Sequence, residues 1–207
     1  MADLNKIYLF RMMHIENIPH VLQYGITHVQ SANANPAYTP IGDSSLINTR
    51  NGFELNNGNK LGDYIPFYFG VRTPMLYVMQ KGFNWVQPTP AQDIVYCVCS
   101  VQKIIDAGLN FVFTDGHAVD GFTTQYNEDD ISRIDEIVDW DAIRAKFWKN
   151  EKDLDLKRRK EAEFLVRQDV PVTAVLGYLV YNEEAKNKLT QWGVTDNKLH
   201  IKPDYYF

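Results

Sequence analysis

The stretch "KRRKEAEFLVRQ", residues 157–168, sets four consecutive cations against an apolar run, with Glu163 at the join. Charges followed by Phe164, Leu165 and Val166 predict a helix end running into a strand over 163–167. Two readings of the charges are open. In one, acid and cations are solvated on either side of an ordinary boundary. In the other, Glu163 faces a cation and the basic run faces an anion. The run extends backwards, because "KFWKNEKDLDLKRRK" (146–160) holds seven Lys/Arg against three Asp/Glu, a local charge of +4.

The chain as a whole carries the opposite sign. Its 207 residues have a net charge of −5, so the general surface repels polyanions and a nucleic acid would need that local patch. A composition 45% hydrophobic and 13% aromatic is ample for one globular core and argues against disorder. The opening "MADLNKIYLF" lacks a leader pattern, and no apolar run approaches the roughly 18 residues of a membrane span. A cytoplasmic protein with no membrane contact is expected. Cys97 and Cys99, in "DIVYCVCS", fall on one face of a strand and have no second Cys or His cluster to complete a metal site. They are expected as core thiols, and no metal is expected.

Outward from the opening stretch, strands are predicted at 6–13, 64–72, 93–100, 110–118, 163–167, 172–181 and near 197–202. Helices are predicted at 17–25, at 73–82 with Pro74 in the first turn, at 100–108 between Ser100 and Gly108, and at 183–192. Residues 29–62 are rich in Asn, Gly, Ser and Pro and predict a long irregular loop of the binding kind. Segment 119–160 is polar and partly helical, with Ile131, Ile134 and Val138 at helical spacing. Short strands mixed with short helices, without regular βαβ alternation, predict an α+β domain. Neither a GxGxxG turn nor a P-loop lysine is present, which disfavours a doubly wound nucleotide fold.

Three observations point to residues that could carry chemistry. Arg11 and His14 lie at a strand-to-helix junction, where free backbone N–H groups suit an anion. Arg50 lies inside the Asn-rich loop, where a guanidinium fork suits phosphate or carboxylate. Glu163 opens a strand. Each also has a plain reading, as a capping histidine, a solvated arginine and a solvated edge acid. No nucleophile elbow and no HxxxH pair among the five histidines supports hydrolase or metal chemistry.

The strings "DYIPFYFGVRTPMLY" (63–77), "LNFVFTDGHA" (109–118) and "RKEAEFLV" (159–166) together resemble the DarT family of DNA ADP-ribosyltransferase toxins. The opening "RMMHIENIPHVLQYGI" (11–26), with His14 and Asn17 three apart, is similar to that family's first nucleotide-binding segment. The likeness runs from about residue 7 to the terminal "PDYYF". It implies an ADP-ribosyltransferase-like fold, a split central β-sheet flanked by helices, over a single domain spanning 1–207. It implies transfer of ADP-ribose from NAD to thymine N3 in single-stranded DNA, sequence-dependent and releasing nicotinamide. A bacterial toxin–antitoxin setting with a DarG-like macrodomain antitoxin is implied as well. RNA or protein as acceptor, or a silent single-strand-binding module on the same fold, are the alternatives.

Residue by residue, the resemblance places the transferase glutamate at Glu163, where a carboxylate can hold the ribose 2′-OH and stabilise oxocarbenium character. The family's arginine falls on Arg50, as an NAD clamp and an aid to removing the thymine N3 proton. A guanidinium stays protonated, so charge stabilisation is the easier of its roles. Arg11, Met12, Met13, His14, Asn17 and His20, with Arg50, are implied as NAD contacts. Many relatives carry His-x-Thr where this chain has Arg11-Met12-Met13, a departure that other members share. Loop 29–49 is implied to cover NAD, and 119–162 to recognise substrate. Tyr68, Arg72, Met75 and His117 are implied to hold the base, and Lys157, Arg158, Arg159 and Lys160 to meet DNA phosphates.

Overall fold

The computed structural model describes residues 2–83 and 86–207. Its strands are β1 (Tyr8–His14), β2 (Ile65–Tyr68), β3 (Ile94–Ser100), β4 (Phe111–Thr114), β5 (Gln125–Tyr126), β6 (Glu163–Val166), β7 (Gly177–Val180) and β8 (Leu199–Ile201). They form one sheet in the order β5-β4-β6-β2-β1-β3-β7-β8, antiparallel except for the β7–β8 pair. The helices are α1 (Ile18–Tyr24), α2 (Ser44–Gly52), α3 (Pro74–Lys81), α4 (Val101–Asp106), α5 (Ile134–Ile137), α6 (Trp140–Arg144), α7 (Leu156–Lys160) and α8 (Glu183–Gln191).

β3 is buried along its whole length because apolar groups cover both of its faces. It pairs with β1 over seven residues, from Tyr8↔Ser100 to His14↔Ile94. By contrast β1 meets β2 through the single pair Phe10↔Tyr68, which is where the sheet divides into two halves. Across that narrow join the Arg11 guanidinium donates to the Pro66 carbonyl at 3.0 Å.

Opposed residues of an antiparallel pair share a face. One face carries Leu9, Met13, Cys97, Cys99, Phe67 and Phe164, and α1, α4 and α8 bury their apolar sides on it to make the main core. Both thiols belong to this core, and burial pushes Cys99 up to about 12. The opposite face is covered in two patches. One joins Tyr96, Val98 and Leu179 to Leu76 and Met79 of α3. The other joins Val112 and Leu165 to Leu55, Leu61 and Tyr64. Phe10, Tyr68 and Glu163 are opposed in register on that face, with Phe10 packed against the first patch.

Side-chain caps start α3 and α4, the second at Ser100 as the sequence suggested. Thr73 accepts from Leu76 N ahead of α3, and Ser100 accepts from Lys103 N ahead of α4. The expected irregular stretch 29–62 is a correction, since it contains α2 and the Glu54↔Lys60 bridge. "SSLINTRNG" has no apolar stripe, and most of its described side chains are exposed. α2 lies close on the turn at Gly62, where a Cβ would come 2.7 Å from Asn51 Cα. The strands expected at 64–72 and 172–181 are shorter, and β5 was missed.

Candidate active site

Glu163 opens β6 with its side chain 1% exposed. Its Oε1 accepts from Arg50 Nη1 at 3.0 Å and from the Ala118 backbone N–H at 3.0 Å, and its Oε2 accepts from Arg50 Nη2 at 2.5 Å. The charged fork and the backbone N–H thus align one carboxylate from three directions. A carboxylate offers about four acceptor positions, so one remains for an incoming hydroxyl.

The turn after β4 delivers two of the site's groups. Thr114 Oγ1 accepts from Glu163 N at 3.0 Å and donates to Gly116 O at 2.6 Å, which locks the turn to β6. The His117 N–H donates to Arg158 O at 3.0 Å, and the Arg158 guanidinium donates to Asp115 at 3.0 Å, so α7 braces the same turn. His117 Nε2 lies 3.4 Å from Arg50 Nη1. A guanidinium has no acceptor, so in this contact Nε2 is the acceptor and the imidazole is neutral.

Burial alone would raise the Glu163 carboxyl, but the Arg50 charge and hydrogen bonds outweigh it and hold it below the usual range. Burial works against the Arg50 charge in turn, yet the Glu163 carboxylate holds it above even its ordinary value. Arg50 is therefore a cation at any working pH. Burial, offset in part by Glu163 and aided by Arg50, lowers His117. Burial and the Glu163 charge push the Tyr68 phenol upward, so it remains protonated.

Two cavities lie elsewhere on the described structure, and neither is lined by Glu163 or Arg50. One of about 20 Å³ is bounded by Arg11, Asn17, His20, Asn35 and Tyr38. The other, about 290 Å³, is bounded by Phe10, Gly70, Arg72, Ile143 and Lys146. At the smaller one, Arg11 Nε is buried without a hydrogen-bond partner among the described residues, a donor that suits an anionic ligand. Asn17 is 2% exposed and its amide is engaged on both sides, donating to Thr39 O at 2.8 Å and accepting from Thr39 N at 2.9 Å. It ties the loop at Thr39 to the start of α1. His14 caps the turn after β1 by accepting from Glu16 N at 3.2 Å, and His20 lies against Tyr24. Met12 joins the patch around Tyr96, whereas Met13 is buried on the other face.

The positions expected to meet DNA divide. Tyr68 and His117 lie beside Glu163, and Met75 packs against the α3 patch. Arg72 borders the larger cavity but is also engaged within the chain. Its backbone is left-handed at φ 52, its guanidinium donates to Tyr206 O, and it lies 4.1 Å from the Phe207 ring centre, so it fastens the C-terminal segment. Lys160 is a correction, 2% exposed and donating to Ile143 O at 3.0 Å, with burial pushing it down to about 8. Arg158 pairs with Asp115 and Asp155, and Arg159 with Asp139, Asp153 and Asp155. Of the four cations only Lys157 is exposed without an ion-pair partner among the described residues. Sequence reasoning missed Thr114, Ala118 N–H and Glu161. Glu161 is 7% exposed just before β6, and its signal was an acid two residues from Glu163.

Residues 10–207 match the family model described as DarT: ssDNA thymidine ADP-ribosyltransferase. The chain is 31% identical to a DNA ADP-ribosyl transferase of Escherichia coli O127:H6 over 214 residues, covering 100% of this chain and 97% of that relative. A DNA ADP-ribosyl transferase-DNA ADP-ribosyl glycohydrolase fusion protein of Thermosipho africanus is 27% identical, over 96% of this chain and 48% of the fusion. Among solved structures, Thermus sp. 2.9 DarT in complex with ADP-ribosylated ssDNA matches at a TM-score of 0.80 and 28% identity, covering 97% of this chain and 96% of that one. The same protein in complex with NAD+ matches at 0.78 and 27%, covering 100% and 99%.

Proposed function

This chain belongs to the DarT family of ssDNA thymidine ADP-ribosyltransferases, and on that premise we propose that its Glu163–Arg50 pair transfers ADP-ribose from NAD to thymine N3. NAD is the donor substrate, supplying ADP-ribose with nicotinamide as the leaving group. The single observation that carries the reading is the Arg50-aligned Glu163 carboxylate with an acceptor position to spare, set where the sheet divides. That acceptor takes a ribose hydroxyl, and the fixed negative charge stabilises the positive charge that grows as nicotinamide leaves. Arg50 clamps the donor and steadies the thymine imide as it loses its proton.

Arg11 Nε, His20 and the 29–49 loop fit a dinucleotide at the smaller cavity. A space of about 20 Å³ admits none, so the loop clasped by Asn17 lifts to receive it. Segment 119–162, carrying Lys157, forms the DNA side together with Tyr68 and His117. The fusion relative joins a transferase to a DNA ADP-ribosyl glycohydrolase, which supports a macrodomain antitoxin as this chain's partner and a role as the toxin of such a pair. No helix among the described residues is long and apolar enough to cross a membrane; we place the enzyme in the cytoplasm, with its DNA.

The test is mass spectrometry of single-stranded oligonucleotides after incubation with protein and NAD. Adducts on thymine, and none on N3-methylthymine, are expected. Adducts only on RNA or protein would overturn the acceptor assignment.

A further inference from the structure

We propose that the larger cavity is a nucleobase subsite, holding the base of a nucleotide that flanks the modified thymine and contacting it through Arg72; the proposal rests on the thymidine reading above. The cavity lies off the end of β2, between the end of α6 and the C-terminal segment, and has a volume of about 290 Å³. Ligand pockets begin at roughly 300 Å³, so this one suits a single base and not a dinucleotide. Phe10, Val71, Ile143 and Tyr205 give it largely apolar walls, the kind of surface on which a base stacks.

Its place fits a strand whose thymine lies at Glu163. Phe10 is opposed to Tyr68 and Tyr68 to Glu163, so the Phe10 wall stands two strand spacings, roughly 10 Å, from Glu163 on the same face of the sheet. Lys160, three residues before Glu163, donates to Ile143 O and ties that wall to the chain just ahead of β6. Arg144 at the rim pairs with Asp141 at 2.8 Å. Lys146 beside it is exposed without an ion-pair partner among the described residues, and its charge suits the phosphate of the flanking nucleotide.

Arg72 supplies the recognition. It lines the cavity, and its Nε is buried without a hydrogen-bond partner among the described residues. Its Nη1 is committed to Tyr206 O and its guanidinium lies 4.1 Å from the Phe207 ring centre, which fixes the group and leaves Nε unspent. Buried donors are ordinarily paired, so this one calls for an acceptor from a ligand. The edge of a base offers one, as a carbonyl or a ring nitrogen. Among the described residues Arg72 is also the one non-glycine with a positive φ, 52, and such strain gathers where ligands are held.

The test uses single-stranded oligonucleotides with one target thymine and an abasic site at one neighbouring position at a time. For the parent, kcat/KM for DNA should fall by about 5–150-fold at one flanking position, the worth of one base–aromatic contact. Ala145→Leu enlarges a half-buried side chain that lines the cavity. It should bring the intact oligonucleotide down to the parent's abasic level, and the abasic site should then cost it little more. A second arm keeps the variants from deciding alone. With thymine at the flanking position, its replacement by difluorotoluene keeps the shape and removes the acceptors, and the parent should lose about tenfold or more. Arg72→Lys, which lacks the Nε donor, should no longer tell the two apart. A parent indifferent to every abasic neighbour would overturn the proposal, as would a parent that accepts difluorotoluene as well as thymine. An Ala145→Leu protein that keeps the parent's abasic penalty would do the same. A rise in KM for NAD in that variant, with DNA kinetics unaltered, would assign the cavity to the donor and overturn it too. A parent that modifies no thymine overturns the reading beneath, whereas thymine transfer blind to its neighbours overturns this proposal alone.

Discussion

Glu163→Gln tests whether the central ion pair holds the fold as well as the chemistry. The side chain is 1% exposed and its partner Arg50 15%, so water does little to compensate either charge. The amide keeps the shape but removes the charge, and it turns one acceptor into a donor facing Arg50 Nη2, now 2.5 Å away. Removing one member of a buried pair costs about 3–5 kcal/mol, because the other charge stays buried alone. At roughly 2–4 °C per kcal/mol for a chain of this size, Tm should fall by about 6–20 °C. α2 exposes most of its described side chains, and Arg50 ties it to β6 through Glu163. Amide exchange across Ser44–Gly52 should then quicken by at least about a hundredfold, at 1.4 kcal/mol per tenfold. The double variant Arg50→Met with Glu163→Gln should regain much of the loss, since no charge is stranded. The difference is pH-dependent with a definite sign. The folded Glu163 is lowered from its ordinary 4.5, so its contribution is present above that value and is lost as pH falls through the lower folded one. Thermal unfolding and hydrogen exchange at pH 7.5 read both quantities. A Glu163→Gln protein melting within a degree of the parent, with α2 exchange unaltered, would refute the reasoning.

Lys157→Ala should weaken single-stranded DNA binding and flatten the dependence of log affinity on log salt by about 0.7, as one phosphate contact is lost. Lys160→Met should leave that slope alone and change Tm instead, because Lys160 is inside. Fluorescence anisotropy over a salt series separates them. Gly25→Ala should cost about 3 kcal/mol or more in urea unfolding, since Gly25 has φ +80 and a Cβ there would sit 2.1 Å from Val170 O.

Some of this was legible in the chain. The apolar run in 93–100 read as a strand, and Pro74 and Ser100 marked helix starts by side-chain chemistry alone. α2 was hidden, since its sequence has no apolar stripe and its link to the sheet is a long-range ion pair. That pair joins residues 113 apart, a relation no local period encodes. Here the family resemblance carried what spacing could not. The cation run misled for the same reason. Asp115, Asp139, Asp153 and Asp155 are scattered in sequence, yet the fold gathers them around Arg158 and Arg159, and of the four cations leaves Lys157 exposed without an ion-pair partner among the described residues. Glu161 drew no notice beside Glu163, because burial and not spacing is what distinguishes it.

The most direct measurement is mass spectrometry of a single-stranded oligonucleotide containing one thymine, incubated with NAD and either the parent or Glu163→Ala, with released nicotinamide followed alongside. An ADP-ribose adduct on that thymine from the parent, matched by equimolar nicotinamide and reduced by at least about 10²-fold in the variant, is the expected result. An undiminished adduct from Glu163→Ala would contradict the account, because the carboxylate at the divided sheet would then not be the group that drives the transfer.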